Sequence, residues 1–165
     1  MSTKAIFHPA GGGETLDVLG TPMTFLATAD DTGDAYEVVV VQAGPGGEPV
    51  PHRHPWQEFY LVLEGTLEVQ IGARTHTAGP GSFVTIPSRA LHSFRVLGEG
   101  ARFLHVSMGR GAVDAFREYH ELVPHAPGPD DAVALLEINR RHGVELDEAT
   151  TSLLEAVAAA AVVAS

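Results

Sequence analysis

The stretch PHRHPWQEFYLVLEG, residues 51–65, decides how the rest of the chain is read. It sets His52 and His54 one residue apart, adds Glu58 four residues later, and runs on into an apolar, aromatic segment. In an extended chain, residues two apart face the same side, so His52 and His54 point one way while Arg53 points the other. Glu58 shares their side if the strand stays regular through Pro55 and Trp56. Neutral imidazole and carboxylate together suit first-row divalent ions (Fe, Mn, Co, Ni, Cu or Zn) better than Mg or Ca, which prefer oxygen alone.

The flanking sequence reads as further strands. Between Met23 and Met108 the runs MTFLATAD, AYEVVVVQA, QEFYLVLE, TLEVQI, SFVTIP, LHSFRVL and ARFLHVSM are punctuated by Gly and Pro. That spacing predicts an all-β sandwich or barrel. The break at Glu64–Thr66 reads as a hairpin turn, with Gly65 free to take a positive φ, and Thr77–Ser82 (TAGPGS) as the next sharp turn. In GSFVTIPSRALHSFRV, His92 opens an apolar strand and shares a face with Phe94 and Val96, so a further ligand arrives in a hydrocarbon setting.

These residues are similar to the cupin family. The first cupin motif, Gly, five residues, His-x-His, three or four residues, Glu, six residues and Gly, runs from Gly46 through His52, His54 and Glu58 to Gly65 with every spacing matched. The second is matched by Gly81, Pro87 and His92, while Arg89 stands where the motif has Gly and Val96 where it has Asn. The resemblance covers about residues 20–110. It implies a double-stranded β-helix (jelly-roll) barrel, often dimeric, with one divalent metal held inside by His52, His54, His92 and Glu58.

After Gly109 the pattern changes to a helical one. VDAFREYHELV carries Val113, Phe116 and Tyr119 on one face, and DDAVALLEINRRHG carries Val133, Leu135, Leu136 and Ile138. Asp130 or Asp131 is the expected cap of the second helix and Gly143 its end. A third, Ala-rich helix follows from Asp147, with Leu153, Leu154 and Val157 as its best contacts. The expected organisation is an N-terminal arm over residues 1–22, a barrel over 23–110 and a helical extension over 111–165.

Composition narrows the function. A chain of 165 residues, 44% hydrophobic and 19% charged, describes one globular domain with a tail. A formal net charge of −11 with 10 Lys and Arg together argues against nucleic acid as partner. With no cysteine there is no thiolate nucleophile and no Cys-ligated zinc. The N-terminus lacks the apolar core of a secretory signal, and the run Ala156–Ala164 is about half a membrane span, so a cytoplasmic location without a membrane partner is expected.

The remaining candidates divide by position. His8, His76, His120, His125 and His142 read as surface residues, while His105 alternates with Phe103 and Ser107 and reads as a satisfied core histidine. Phe25, Tyr60, Phe83 and Phe94 read as barrel core and Arg89 as a surface turn residue, while Trp56 and Gln57 sit beside the ligands and are left unassigned. Parity places Arg53, Arg95 and Arg102 outside the barrel, which disfavours sugar-phosphate substrates. The expected function is a metal-dependent oxygenase, a homodimer acting on a small apolar or aromatic molecule, with Glu58 also serving as general base. A non-redox isomerase, cyclase or lyase and a non-catalytic small-molecule binder are the alternatives. The quercetin dioxygenase-like cupins are the group that the oxygenase reading resembles.

Overall fold

The computed structural model describes residues 5–123, 128 and 131–164. His125 and Asp130, read above as a surface residue and a helix cap, lie outside the described residues. In chain order the elements are β1 (Glu14–Val18), β2 (Thr21–Ala27), α1 (Ala29–Thr32), β3 (Tyr36–Ala43), β4 (His52–Arg53), β5 (Glu58–Ile71), β6 (Arg74–Ala78), β7 (Phe83–Ile86), β8 (His92–Met108), α2 (Ala112–Leu122), α3 (Ala132–His142), β9 (Glu145–Leu146) and α4 (Glu148–Ala164). No helix among the described residues is long and apolar enough to cross a membrane.

Glu64–Thr66 is not a hairpin turn. QEFYLVLE and TLEVQI form the single 14-residue strand β5, and LHSFRVL and ARFLHVSM form the 17-residue β8. The two strands bulge together, and the register slips between Val62↔Phe103, Glu64↔Arg102 and Thr66↔Leu97. Gly65, at φ +73°, sits at this bend, where an added Cβ would stand 2.1 Å from the Gly100 carbonyl oxygen. Glycine is required there because backbone meets backbone, and the ladder bends without reversing.

The bend divides one antiparallel sheet into two faces. On the first lie β1, β2, β3, the C-terminal half of β8, the N-terminal half of β5 and β7. The second holds β9, β4, the N-terminal half of β8, the C-terminal half of β5 and β6. Their inner sides share one core: Phe94 of the second face meets Phe103 (ring centroids 5.3 Å apart) and Tyr60 (6.1 Å) of the first. The sheet stays open rather than closing into the expected barrel. Its link through β4 is two residues long and flanked by Pro51 and Pro55, which lack the N–H donors a longer ladder needs.

Phe25, Tyr60 and Phe94 are buried as expected, whereas Phe83 is 64% exposed: it begins β7 with its ring outward, stacked on Phe59. The run MTFLATAD leaves the sheet after Ala27, and α1 occupies its end. Glu37 on β3 is fully buried and ties α2 to the sheet. Its Oε2 accepts the Val113 N–H (3.0 Å) in the first helical turn and the Ser107 hydroxyl (3.2 Å). In α3 it is Ala132, Ile138 and Asn139 that are buried, and Val133 is exposed. Asp147 caps α4 by accepting the N–H groups of Ala149 and Thr150, and Leu153, expected among its best contacts, is exposed.

The close approach at Gly65 makes a prediction. Gly65→Ala will destabilise the fold by about 3 kcal/mol, from a strained φ plus overpacking. Gly72→Ala, with φ +58° but open space around it, will cost about 1 kcal/mol. Urea unfolding of both variants measures the difference; equal losses would remove the steric account of the bend.

Candidate metal centre

Flat, the 14-residue β5 would span about 45 Å. Glu58 stands at its start, and the register sets His92 opposite Ile71 at its end. Because the sheet is bent double, Oε1 of Glu58 nevertheless lies 3.0 Å from Nε2 of His92. His52 arrives on β4 directly opposite His92, and His54 follows where the chain leaves the ladder at Pro55–Gln57. All four expected ligands therefore meet, although Glu58 gets there by the sheet's bend and not by unbroken strand parity. His54, Glu58 and His92 are buried and His52 is partly buried.

Each of the three motif imidazoles is oriented by a backbone carbonyl two residues away. Nδ1 of His52 bonds Val50 O (2.9 Å), Nδ1 of His54 bonds Trp56 O (3.0 Å) and Nδ1 of His92 bonds Ala90 O (2.8 Å). A carbonyl only accepts, so the proton sits on Nδ1 and the lone pair on Nε2. The buried Nε2 atoms of His54 and His92 have no hydrogen-bond partner. Glu58 Oε2 is 3.1 Å from the former and Oε1 3.0 Å from the latter, but neither contact has hydrogen-bond geometry. His52, His54 and His92 offer ring nitrogens within 4.8 Å of one another.

This donor set fits a divalent transition ion. Two donors each about 2.1 Å from one ion at a right angle lie about 3 Å apart, the separation Glu58 keeps from both imidazoles. Backbone-fixed tautomers are the usual support of metal-bound histidine, and unpartnered buried nitrogens in a protein interior imply a ligand or a cost of about 1–3 kcal/mol each.

The cluster contains two residues that sequence reasoning set aside. His105, read as a satisfied core histidine, donates Nε2–H to Glu58 Oε2 at 2.8 Å and leaves its buried Nδ1 unpartnered. Trp56, left unassigned beside the ligands, is buried and stacks on His54 with ring centroids 4.2 Å apart and planes 11° from parallel. Trp56 lies in the irregular turn between β4 and β5, where strand parity does not apply. His105 did alternate inward, but only the register Tyr60↔His105 reveals that it stands beside Glu58. Tyr60 completes the group, its hydroxyl donating to Glu58 Oε1 at 2.6 Å.

Electrostatics follow from this packing. Burial works against ionising Glu58, yet the charge and hydrogen bond of His105, with contributions from His54 and His92, hold its carboxyl well below the usual range. Burial and the neighbouring Glu58 carboxylate push the Tyr60 phenol well up. Burial, helped by His92, pulls His52 down to about 4. His92 is pushed down by burial but raised overall by the Glu58 carboxylate.

The other sequence readings sort simply. Arg89 takes the left-handed φ of +61° where the cupin motif has Gly, and its exposed side chain reaches Glu145 at 3.5 Å. Arg53, Arg95 and Arg102 point outward, paired with Glu145, Glu68 and Glu64. His8, His76 and His120 are exposed, and His142 lies against Glu118. A groove of about 250 Å³ lined by Glu68, Gln70, Thr75, Ser93, Phe94 and Arg95 contains none of the imidazole or Glu58 side chains.

Two outcomes follow. The metal-free protein will take up about one equivalent of a first-row divalent ion, and the His52→Ala/His92→Ala variant none, as elemental analysis after a metal mixture will show. An ion binds only neutral imidazoles, so apparent affinity falls as pH drops through the imidazole range. Metal titrations from about pH 5 to 8 measure this; an affinity that does not change across that range would remove the imidazoles as ligands.

Comparison with known proteins agrees with this picture. Residues 39–107 match the family model described as a cupin domain. Quercetin 2,3-dioxygenase of Bacillus subtilis is 27% identical over 107 residues, 64% of this chain and 32% of that protein. Dimethylsulfoniopropionate lyase DddW of Ruegeria pomeroyi is 39% identical over 66 residues, 40% of this chain and 43% of that protein. The chain spans less than half the length of the curated relatives it matches. The polyketide cyclase RemF of Streptomyces resistomycificus superposes with a TM-score of 0.55 at 25% identity, covering 64% of this chain and 80% of that one.

Proposed function

We propose, from the premise that this chain carries a cupin domain, that His52, His54, His92 and Glu58 hold one divalent transition metal and that the protein is an oxygenase acting on a small apolar or aromatic molecule. The observation that carries the metal is the convergence of three imidazoles whose Nδ1 atoms are spent on carbonyls and whose Nε2 atoms face one point beside Glu58. A metal bound there supplies Lewis acidity and, if redox-active, electron exchange with O2.

The surrounding residues favour an apolar substrate. The inner face near the ligands is built from Phe94, Phe103, Val69 and Tyr60, and Arg53, Arg95 and Arg102 all point to solvent. No guanidinium among these arginines is positioned to receive a phosphate, and the side chains packed on Tyr60 beside the ligands are hydrocarbon, which suits a flavonol or 1,3-dicarbonyl better than a sugar phosphate. His52, the least buried of the four ligands, marks the side from which substrate arrives. Similarity to quercetin 2,3-dioxygenase supports the oxygenase reading. A dioxygenase places both atoms of O2 in its product and needs no other reductant.

The likeness to the polyketide cyclase RemF supports a second reading, in which the ion acts only as a Lewis acid. Oxygen uptake separates the two. With protein loaded in turn with Fe, Ni, Mn, Cu or Co, a flavonol and 1,3-dicarbonyl panel will show O2 consumption with at least one ion and none with Zn. Absence of uptake with every ion would end the oxygenase reading. Turnover of a polyketone substrate under strict anaerobiosis with Zn would establish the cyclase one.

A further inference from the structure

We infer that Tyr60 and His105 are positioning residues that lock the Glu58 carboxylate, one oxygen each, against the three imidazoles, so that Glu58 serves as a fixed metal ligand and not as a mobile base. The inference rests on the metal reading proposed above and assigns Glu58 the ligand role alone, without the general-base role expected from sequence.

The geometry is specific. Tyr60 lies two residues beyond Glu58 on the same inward face of β5, and His105 lies directly across from Tyr60 on β8. Tyr60 donates to Oε1 at 2.6 Å and His105 to Oε2 at 2.8 Å, so each oxygen has its own donor from the protein side. The same oxygens face the imidazoles of His92 and His54 at 3.0 and 3.1 Å. Turning the carboxylate away from the imidazoles breaks both donor bonds at once in a buried site, where losing a charged hydrogen bond is costly.

The donors are themselves held. The Tyr60 ring is packed by Phe103 (4.9 Å) and Phe94 (6.1 Å), and Phe116 of α2 meets the His105 ring at 5.7 Å. Both side chains are buried, so neither swings out to let Glu58 move. If Glu58 is pinned, a proton abstracted from substrate must be accepted elsewhere, by substrate itself or by solvent at the His52 side.

The test is metal affinity, which a purely structural role would leave unmoved. Trp56 is the single tryptophan and stacks on His54, so its fluorescence reports binding at the site. Metal-free parent, Tyr60→Phe, His105→Phe and His105→Gln are titrated with Co2+, and their metal-free urea unfolding is recorded alongside. Tyr60→Phe and His105→Phe will each weaken Co2+ binding about 10- to 100-fold, the range typical of lost outer-shell partners. His105→Gln, which keeps an N–H donor, will recover most of that loss.

Unchanged Co2+ affinity in folded Tyr60→Phe and His105→Phe overturns the inference while leaving the metal site intact. Should His105→Phe not fold, Tyr60→Phe, which removes a single oxygen, decides alone. A parent that binds no Co2+ overturns the metal reading itself, and the positioning role falls with it.

Discussion

The backbone contact between Gly65 and Gly100 is the constraint on which the rest depends. Without a Cβ at Gly65, whose place lies 2.1 Å from the Gly100 carbonyl oxygen, the two longest strands pass close enough to bend as a pair. That bend turns one open sheet into two facing layers with a shared aromatic core. It also brings opposite ends of the β5–β8 ladder together, which is how Glu58 and His92 come within 3.0 Å. The ligand cluster is thus a by-product of the same bend that creates the core.

Inside that fold a carboxylate stands where hydrocarbon would be cheaper. Burial works against ionising Glu58, and it is His105, with the imidazoles of His54 and His92, that holds its carboxyl well below the usual range. Among the imidazoles, burial pushes His92 down, but the Glu58 carboxylate raises it overall. The buried Nε2 atoms of His54 and His92, without hydrogen-bond partners beside this carboxylate, are what make the cluster a candidate metal site.

The C-terminal segment takes part in the site's support. β9 pairs with β4, setting Leu146 opposite His52 and Glu145 opposite Arg53, and the Asp147 N–H bonds Pro51 O at 2.9 Å. Glu145 faces Arg53 at 3.9 Å and Arg89 at 3.5 Å, joining both ligand-bearing loops at the surface, where such pairs contribute about 0–1 kcal/mol each. The Arg89 N–H bonds His54 O at 2.8 Å, so the turn before His92 is fastened to the His-x-His segment by backbone as well. A two-residue strand as short as β4 depends on such neighbours to hold its register.

The sequence by itself determined the strand-rich body, the three helices after Gly109, the turn at Thr77–Ser82 and the four candidate residues that the structure brings together, because alternation, helical period and motif spacing are local properties of the chain. It misjudged what depends on partners far along the chain. Glu64–Thr66 has the composition of a hairpin, but the paired bulge with Gly100 makes it a bend within one strand. Phe83 has a core composition, but its position on the edge strand β7 leaves it outside. Trp56 and His105 joined the site only through tertiary structure, one by leaving regular strand geometry and stacking on His54, the other by a register that sets it opposite Tyr60. Periodicity says which way a side chain points within its own strand; which residue it meets there is decided by pairing and bending, and those are set by contacts no single stretch of sequence contains.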